Sequence, residues 1–339
     1  MRALQLLLTL LFTLTLTGCE PQPSRPTGPV EGTLEVHYID VGQADAALVL
    51  YGGASMLIDG GNVADSSLVV SYLAAHGVER LDRVVDTHAH EDHVGGLAGA
   101  LAKYGAETVY APVTEYDSKA FRDFAKYAGD ITIPAPGDTW TVGEAQVTVL
   151  GPVEAYPDTN NTSLVLRLDF GQTSFLFTGD MERQAEADLL DAGADVKADV
   201  LKVGHHGSDT STSYPFLRAV EPEYAVLSVG EGNSYGHPSA DTLSRLRDAE
   251  AAVYRTDMQG TVVAVSDGKD ITFTVEKNPD AVTNPTDGAA EAYYIGNLNS
   301  KVFHRPTCSG LPEERNQTRF ETRDEAVQAG YTACGRCKP

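Results

Sequence analysis

One stretch limits this chain more than any other: Asp86-Thr87-His88-Ala89-His90-Glu91-Asp92-His93-Val94-Gly95-Gly96. It ends a β-like run, Leu81 to Asp86, and places three histidines and an aspartate within six residues. Imidazole nitrogens and carboxylate oxygens are ligands for divalent cations. A tight loop of this composition can aim His88 and His90 at one ion while Asp92 and His93 reach a second. Two cations roughly 3.5 to 4 Å apart would activate water and hold the charge that develops on a substrate oxygen. The fold must then bring further acids and imidazoles to the end of the same strand.

The pattern around the loop is mixed. Leu34 to Asp40, Ala46 to Leu50 and Ser55 to Asp59 read as strands of a meander separated by glycine turns. Helix-like stretches follow at Ser66 to His76, Leu97 to Tyr104 and Lys119 to Ala128, and again at Met181 to Ala192, Ser213 to Val220 and Asp241 to Ala249. Strands are expected between them, including Ser163 to Phe170, Ser174 to Thr178, Val200 to Val203 and Tyr224 to Ser228. Two similar halves of this kind predict two sheets sandwiched between helices.

His-x-His-x-Asp-His followed by Gly-Gly resembles the signature of the metallo-β-lactamase fold superfamily, an α/β, four-layer αββα sandwich. Further phrases narrow the resemblance: Val41-Gly42-Gln43-Ala44-Asp45-Ala46, Leu57-Ile58-Asp59-Gly60-Gly61, Asn160-Asn161-Thr162-Ser163-Leu164-Val165, Thr178-Gly179-Asp180, Leu201-Lys202-Val203-Gly204-His205-His206-Gly207-Ser208 and Tyr235-Gly236-His237-Pro238. Their order is similar to that in the hydrolase domain of the ComEC competence-protein family. The resemblance implies that Asp180 bridges two metals and that His206, or its neighbour His205, completes the second. The other of the two would face substrate as a proton donor, with His237 as a further ligand or substrate-contacting acid and Asp92 serving both metal and chemistry. Asp59 would support the His-rich loop from the second shell. Where many superfamily members supply a third histidine to the first metal, this chain offers Asn160 and Asn161. An amide carbonyl is a harder, weaker ligand, which leaves Zn²⁺ and Mn²⁺ both open.

At the other end, His304, Cys308, Cys334 and Cys337 form one histidine and three thiols suited to a structural zinc. Their spacing resembles the metal-binding domain of the Ada DNA-repair protein, with His304 in place of the first cysteine. An imidazole is a far poorer nucleophile than a thiolate, so methyl transfer is not expected. A zinc-stapled module over 291–339 is, after a linker at 277–290 and a hydrolase domain at 34–276.

The N-terminus is a Leu-rich run closing in Leu16-Thr17-Gly18-Cys19, which resembles a bacterial lipobox. Residues 1–18 are expected to be a lipoprotein signal peptide, Cys19 the lipidated residue and 19–33 a Pro-rich tether. That places the protein on a bacterial membrane, outside the cytoplasm. With 25 Lys+Arg against 48 Asp+Glu the net charge is −23, which excludes a broad basic groove for nucleic acid. Residues 291–339 differ, with seven basic against six acidic side chains. Together these features predict a lipid-anchored metal-dependent phosphodiesterase, a nuclease acting on DNA. The alternatives are a hydrolase of another ester, of phosphocholine esterase or lactonase type, and a non-enzymatic DNA-capture lipoprotein.

Overall fold

The computed structural model describes residues 30–284, 293–305, 308, 310–320 and 323–335. The expected signal peptide, Cys19, most of the tether and Cys337 lie outside the described residues. Two large sheets form the body. The first runs, in spatial order, Ile271–Val275, Val262–Ser266, Leu34–Tyr38, Ala47–Tyr51, Ala54–Ile58, Leu81–Val85, Ala106–Tyr110 and Ile131–Thr132. The second runs Ala252–Arg255, Tyr224–Leu227, Val200–Lys202, Thr173–Phe177, Val165–Phe170, Ala145–Gly151 and Thr139–Val142.

Alternation along the strands produces the layers, because successive side chains point to opposite faces. Met56 and Ile58 enter the core between the sheets with Val36, Leu166, Phe175, Phe177 and Val200. Leu48 and Leu57 point the other way and meet Val69, Leu73, Leu97 and Phe121 of helices Ser66–Ala75, Leu97–Tyr104 and Lys119–Ala128. On the second sheet, Leu176, Leu201 and Leu227 pack outward against Leu189, Leu217 and Leu246 of Arg183–Asp191, Tyr214–Val220 and Ala240–Asp248. The result is the four-layer αββα sandwich.

Strand direction decides where the chemistry can gather. Ala54–Ile58, Leu81–Val85 and Ala106–Tyr110 are parallel neighbours, and so are Thr173–Phe177, Val200–Lys202 and Tyr224–Leu227. Parallel strands present their C-terminal ends at one edge. There the first sheet releases Asp59 and the His-rich loop, and the second releases Asp180, His205, His206 and the segment reaching His237.

Two details depart from the sequence expectation. Glu91–Val94, inside the expected loop, is a short helix capped by His90 in extended conformation. Within the expected linker, Thr283 hydrogen-bonds to the Val253 carbonyl and Asn284 to that of Leu243, so these residues lie on the hydrolase body. The C-terminal segment forms a separate small sheet in the order Gln317–Phe320, Tyr294–Asn297, Val302–His304, Thr332–Ala333, around Tyr294, Phe303, Phe320, Ala326 and Tyr331. Its buried Arg323 stacks on the ring of Tyr214 in the hydrolase, 4.0 Å from guanidinium carbon to centroid. No helix among the described residues is long and apolar enough to cross a membrane.

Candidate metal centre and active site

Asp59 ends its strand in the left-handed region, φ 57°. Its Oδ1 accepts from the Thr87 amide at 2.8 Å, and its Oδ2 accepts from the Thr87 hydroxyl at 2.7 Å and His93 Nδ1 at 2.9 Å. With Nδ1 committed, His93 turns Nε2 inward, 3.3 Å from Asp180 Oδ1. The loop is also fastened by its backbone: the Gly60 amide donates to the His93 carbonyl at 2.7 Å, and the Asp45 amide to the Asp92 carbonyl at 3.0 Å. Gly96 is required by proximity, since a Cβ there would sit 1.9 Å from the Gly60 carbonyl oxygen.

From the second sheet, the Asp180 amide donates to Ser163 Oγ at 3.0 Å, and that hydroxyl donates to the Asn160 carbonyl at 2.6 Å. His205 and His206 both adopt left-handed backbone, φ 48° and 52°. Such residues cost about 1–3 kcal/mol each and persist where surroundings over-determine them. Here the following segment is pinned: Thr242 Oγ1 donates to the Ser208 carbonyl at 2.8 Å, Arg245 to that of Ser211 at 2.9 Å, and Glu186 accepts from the Thr212 and Ser213 amides. The turn drives the two rings apart. His206 is buried, with Nδ1 3.0 Å from the Ser228 carbonyl and 3.2 Å from Asp45 Oδ1, and Nε2 3.2 Å from Asp92 Oδ2 and 3.7 Å from Asp180 Oδ2. His205 stays on the rim, Nε2 3.6 Å from Asp180 Oδ2 and Nδ1 3.3 Å from Glu182 Oε1.

Ligand atoms of Asp92, His93, Asp180 and His206 thus lie within 4.8 Å of one another. His93 Nε2 and Asp180 Oδ1 are buried 3.3 Å apart without a well-aligned hydrogen bond between them. Two imidazoles and two carboxylates converging in this way fit a divalent cation. His88 Nε2 lies 3.1 Å from His90 Nδ1 and 4.0 Å from Asp180 Oδ2, the oxygen that His206 also approaches, and these two imidazoles could contribute to a second cation position. Asn160, on the turn Asn160–Thr162, carries a buried Oδ1 without a hydrogen-bond partner. The ring of His237 stands 5.6 Å from that of His205, centroid to centroid. Tyr116 lies edge-on to His90 at 6.5 Å, beside an open pocket of about 500 Å³ that Phe121 and Arg122 also line.

Sequence reasoning singled out neither Asp45 nor Lys202 as a site residue. Lys202 Nζ meets Asp45 Oδ2 at 2.8 Å, both buried, and Asp45 Oδ1 faces His206. Burial opposes the Asp45 carboxylate, but Lys202 and His206 outweigh it and depress its pKa. The carboxylate thereby fixes the His206 ring with Nε2 toward Asp92. The available signals were Asp45's place in the Val41–Ala46 phrase and Lys202's in the Leu201–Ser208 phrase.

In the tail, His304, Cys308 and Cys334 bring ligand atoms within 4.8 Å of one another. The Gly310 amide donates to Cys308 Sγ at 3.4 Å, and the Cys334 amide to the Phe303 carbonyl at 2.9 Å. Sulfur and imidazole donors at this separation fit zinc.

An αββα sandwich with imidazoles and carboxylates converging at the strand ends of both sheets defines a metal-dependent hydrolase. The chain belongs to the metallo-beta-lactamase superfamily, whose family model matches residues 39–231, and residues 279–339 match the metal binding domain of Ada. It is 34% identical over 251 residues to ComE operon protein 3 of Bacillus subtilis (strain 168), covering 67% of this chain and 32% of that protein. It is 35% identical to competence protein ComA of Neisseria gonorrhoeae, with 70% and 33% covered, and 31% identical to recombination protein 2 of Haemophilus influenzae, with 68% and 28% covered. The chain therefore spans about a third of the length of these relatives. Among solved structures, the metallo-beta-lactamase fold protein YhfI from Bacillus subtilis is similar at 15% identity and a TM-score of 0.48, over 69% of this chain and 99% of that one.

Proposed function

We propose that this protein is a metal-dependent phosphodiesterase that cuts DNA, exported and held on a bacterial membrane through lipid at Cys19. The observation that carries the reading is the cluster of Asp92, His93, Asp180 and His206 below a rim bearing two further imidazoles, His205 and His237. Support for DNA as substrate comes from relatives named as competence and recombination proteins and from the Ada-type module.

Divalent cations, Zn²⁺ or Mn²⁺, held by these four residues and by His88 and His90 would lower the pKa of water and offset charge on a phosphoryl group. The chain's own groups supply orientation and protons. Asp180 presents its carboxylate to His88 and to His93, and its backbone N–H donates a hydrogen bond to Ser163 Oγ that holds it there. His205, oriented by Glu182, directs Nε2 toward the space above Asp180 and is placed to protonate the departing oxygen. His237 has its pKa lowered by burial and then by His205 and His206, so at neutral pH it offers the substrate a hydrogen bond rather than a proton.

The test is hydrolysis of single- and double-stranded DNA and of bis(p-nitrophenyl) phosphate by the mature protein with Mn²⁺ or Zn²⁺. Wild type should cleave, and His90→Ala and Asp180→Ala should each lower kcat by about 100-fold or more, as removing a ligand exceeds removing its support. Equal behaviour of all three proteins would remove the enzymatic reading and leave DNA capture.

A further inference from the structure

Tyr235 is the most exposed large apolar side chain among the described residues, at 73%. The backbone that carries it is nevertheless pinned. Asn233 Oδ1 accepts from the amides of both Tyr235 and His237 at 3.1 Å, and Asn233 Nδ2 donates to the Gly230 carbonyl at 3.0 Å. The Gly230 amide in turn donates to Gln43 Oε1 at 3.1 Å, tying the turn to the first sheet's loop. One face of the Tyr235 ring stacks on His237, 5.8 Å between centroids and 28° between planes, and His237 adjoins His205 above Asp180. A rigid turn thus carries an aromatic ring with an open face at the edge of the reacting centre.

The surrounding charge narrows what that face can hold. Residues 229–240 contain no Lys or Arg and one acid, Glu231, so the turn cannot grip a phosphate by charge. Every nucleobase, however, presents a π-face, and stacking tolerates any sequence. A quaternary ammonium would need several rings around it, whereas here a single ring is open. We propose that Tyr235 is a stacking platform for a nucleobase flanking the cleaved phosphodiester. The inference rests on the phosphodiesterase reading above and deepens it: an acidic chain holds its substrate next to the site by base stacking.

The experiment compares wild type, Tyr235→Ala and Tyr235→Phe of the whole protein with Mn²⁺. The substrates are thymidylyl-thymidine, its two analogues lacking one or the other base, and p-nitrophenyl phosphorylcholine. The side chain is exposed, so equal thermal midpoints should show that all three proteins fold. Wild type should prefer the full dinucleotide over one analogue by about tenfold in kcat/KM. Tyr235→Ala should lose that preference by falling to the analogue's rate, and Tyr235→Phe should keep it. Wild type that treats all three dinucleotides alike, or Tyr235→Ala that retains the preference, would overturn the platform and leave the phosphodiesterase standing. Loss of choline ester hydrolysis alone in Tyr235→Ala would also overturn it, giving the ring to a cationic headgroup. Wild type inert on every dinucleotide, and on DNA, would remove both readings.

Discussion

At the scale of single residues, His93 and His206 hold protons in the cation-free protein that a metal must displace. Burial works against a charge on His206, but Asp180 and Asp45 outweigh it and raise its pKa to about 10. His93 is likewise opposed by burial and raised well above its ordinary value by Asp180 and Asp59. Both folded values exceed the unfolded one of about 6.5. Their stabilisation of the cation-free fold is therefore complete below that pH and is lost as pH rises through the folded values, about 10 for His206. Ligation runs the other way, since it needs both rings neutral. Calorimetric titration of Zn²⁺ at pH 7, in buffers of different ionisation enthalpy, should show release of about two protons with the first tight ion, and affinity should climb as pH rises toward the folded value of His206, about 10. A titration without proton release would mean that the rings are neutral already.

At the scale of elements, the site depends on how closely two turns approach. Gly95 and Gly96 lie against the segment 60–63, and a Cβ on either would strike backbone. Gly96 has ordinary helical dihedrals, φ −79°, so proximity alone demands glycine. Gly96→Ala should cost about 1–3 kcal/mol as overpacking, read as a lower thermal midpoint of the cation-free protein, and should weaken cation retention on dialysis. Most of the strands were legible in the sequence as short apolar runs such as Met56-Leu57-Ile58 bounded by glycine turns, although which face each side chain takes is not. The His-rich loop was legible because its ligands are contiguous. The helix Glu91–Val94 was not, being one turn whose residues equally suit a loop. Nor were Asp45 and Lys202, which lie far apart in sequence and become meaningful only when the two sheets set Nζ 2.8 Å from the carboxylate. The division of labour between His205 and His206 was likewise decided by consecutive left-handed dihedrals that adjacent letters do not reveal.

At the scale of the whole molecule, a body of strong negative charge carries a small module whose own core holds five buried side chains among the described residues. A sheet of this size gains too little from burial to fold unaided, and a metal makes up the difference. His304→Ala, or selective chelation of the tail, should therefore unfold the C-terminal module while leaving the main unfolding transition of the αββα body in place. Differential scanning calorimetry would show this as loss of one transition. A single shared transition would instead mean that the contact of Arg323 with Tyr214 binds the two into one cooperative unit. The body's ligand cluster has a different relation to folding, because it straddles the seam between two sheets. Asp92 and His93 arrive with the first sheet, and Asp180 and His206 only with the second, 87 residues after His93 in the case of Asp180. The complete set comes together only where both sheets are in place, so a chain that stops short of His206 lacks part of it. Were the chain exported, as proposed, before it folds, the ions at its destination rather than those where it was synthesised would load this cluster.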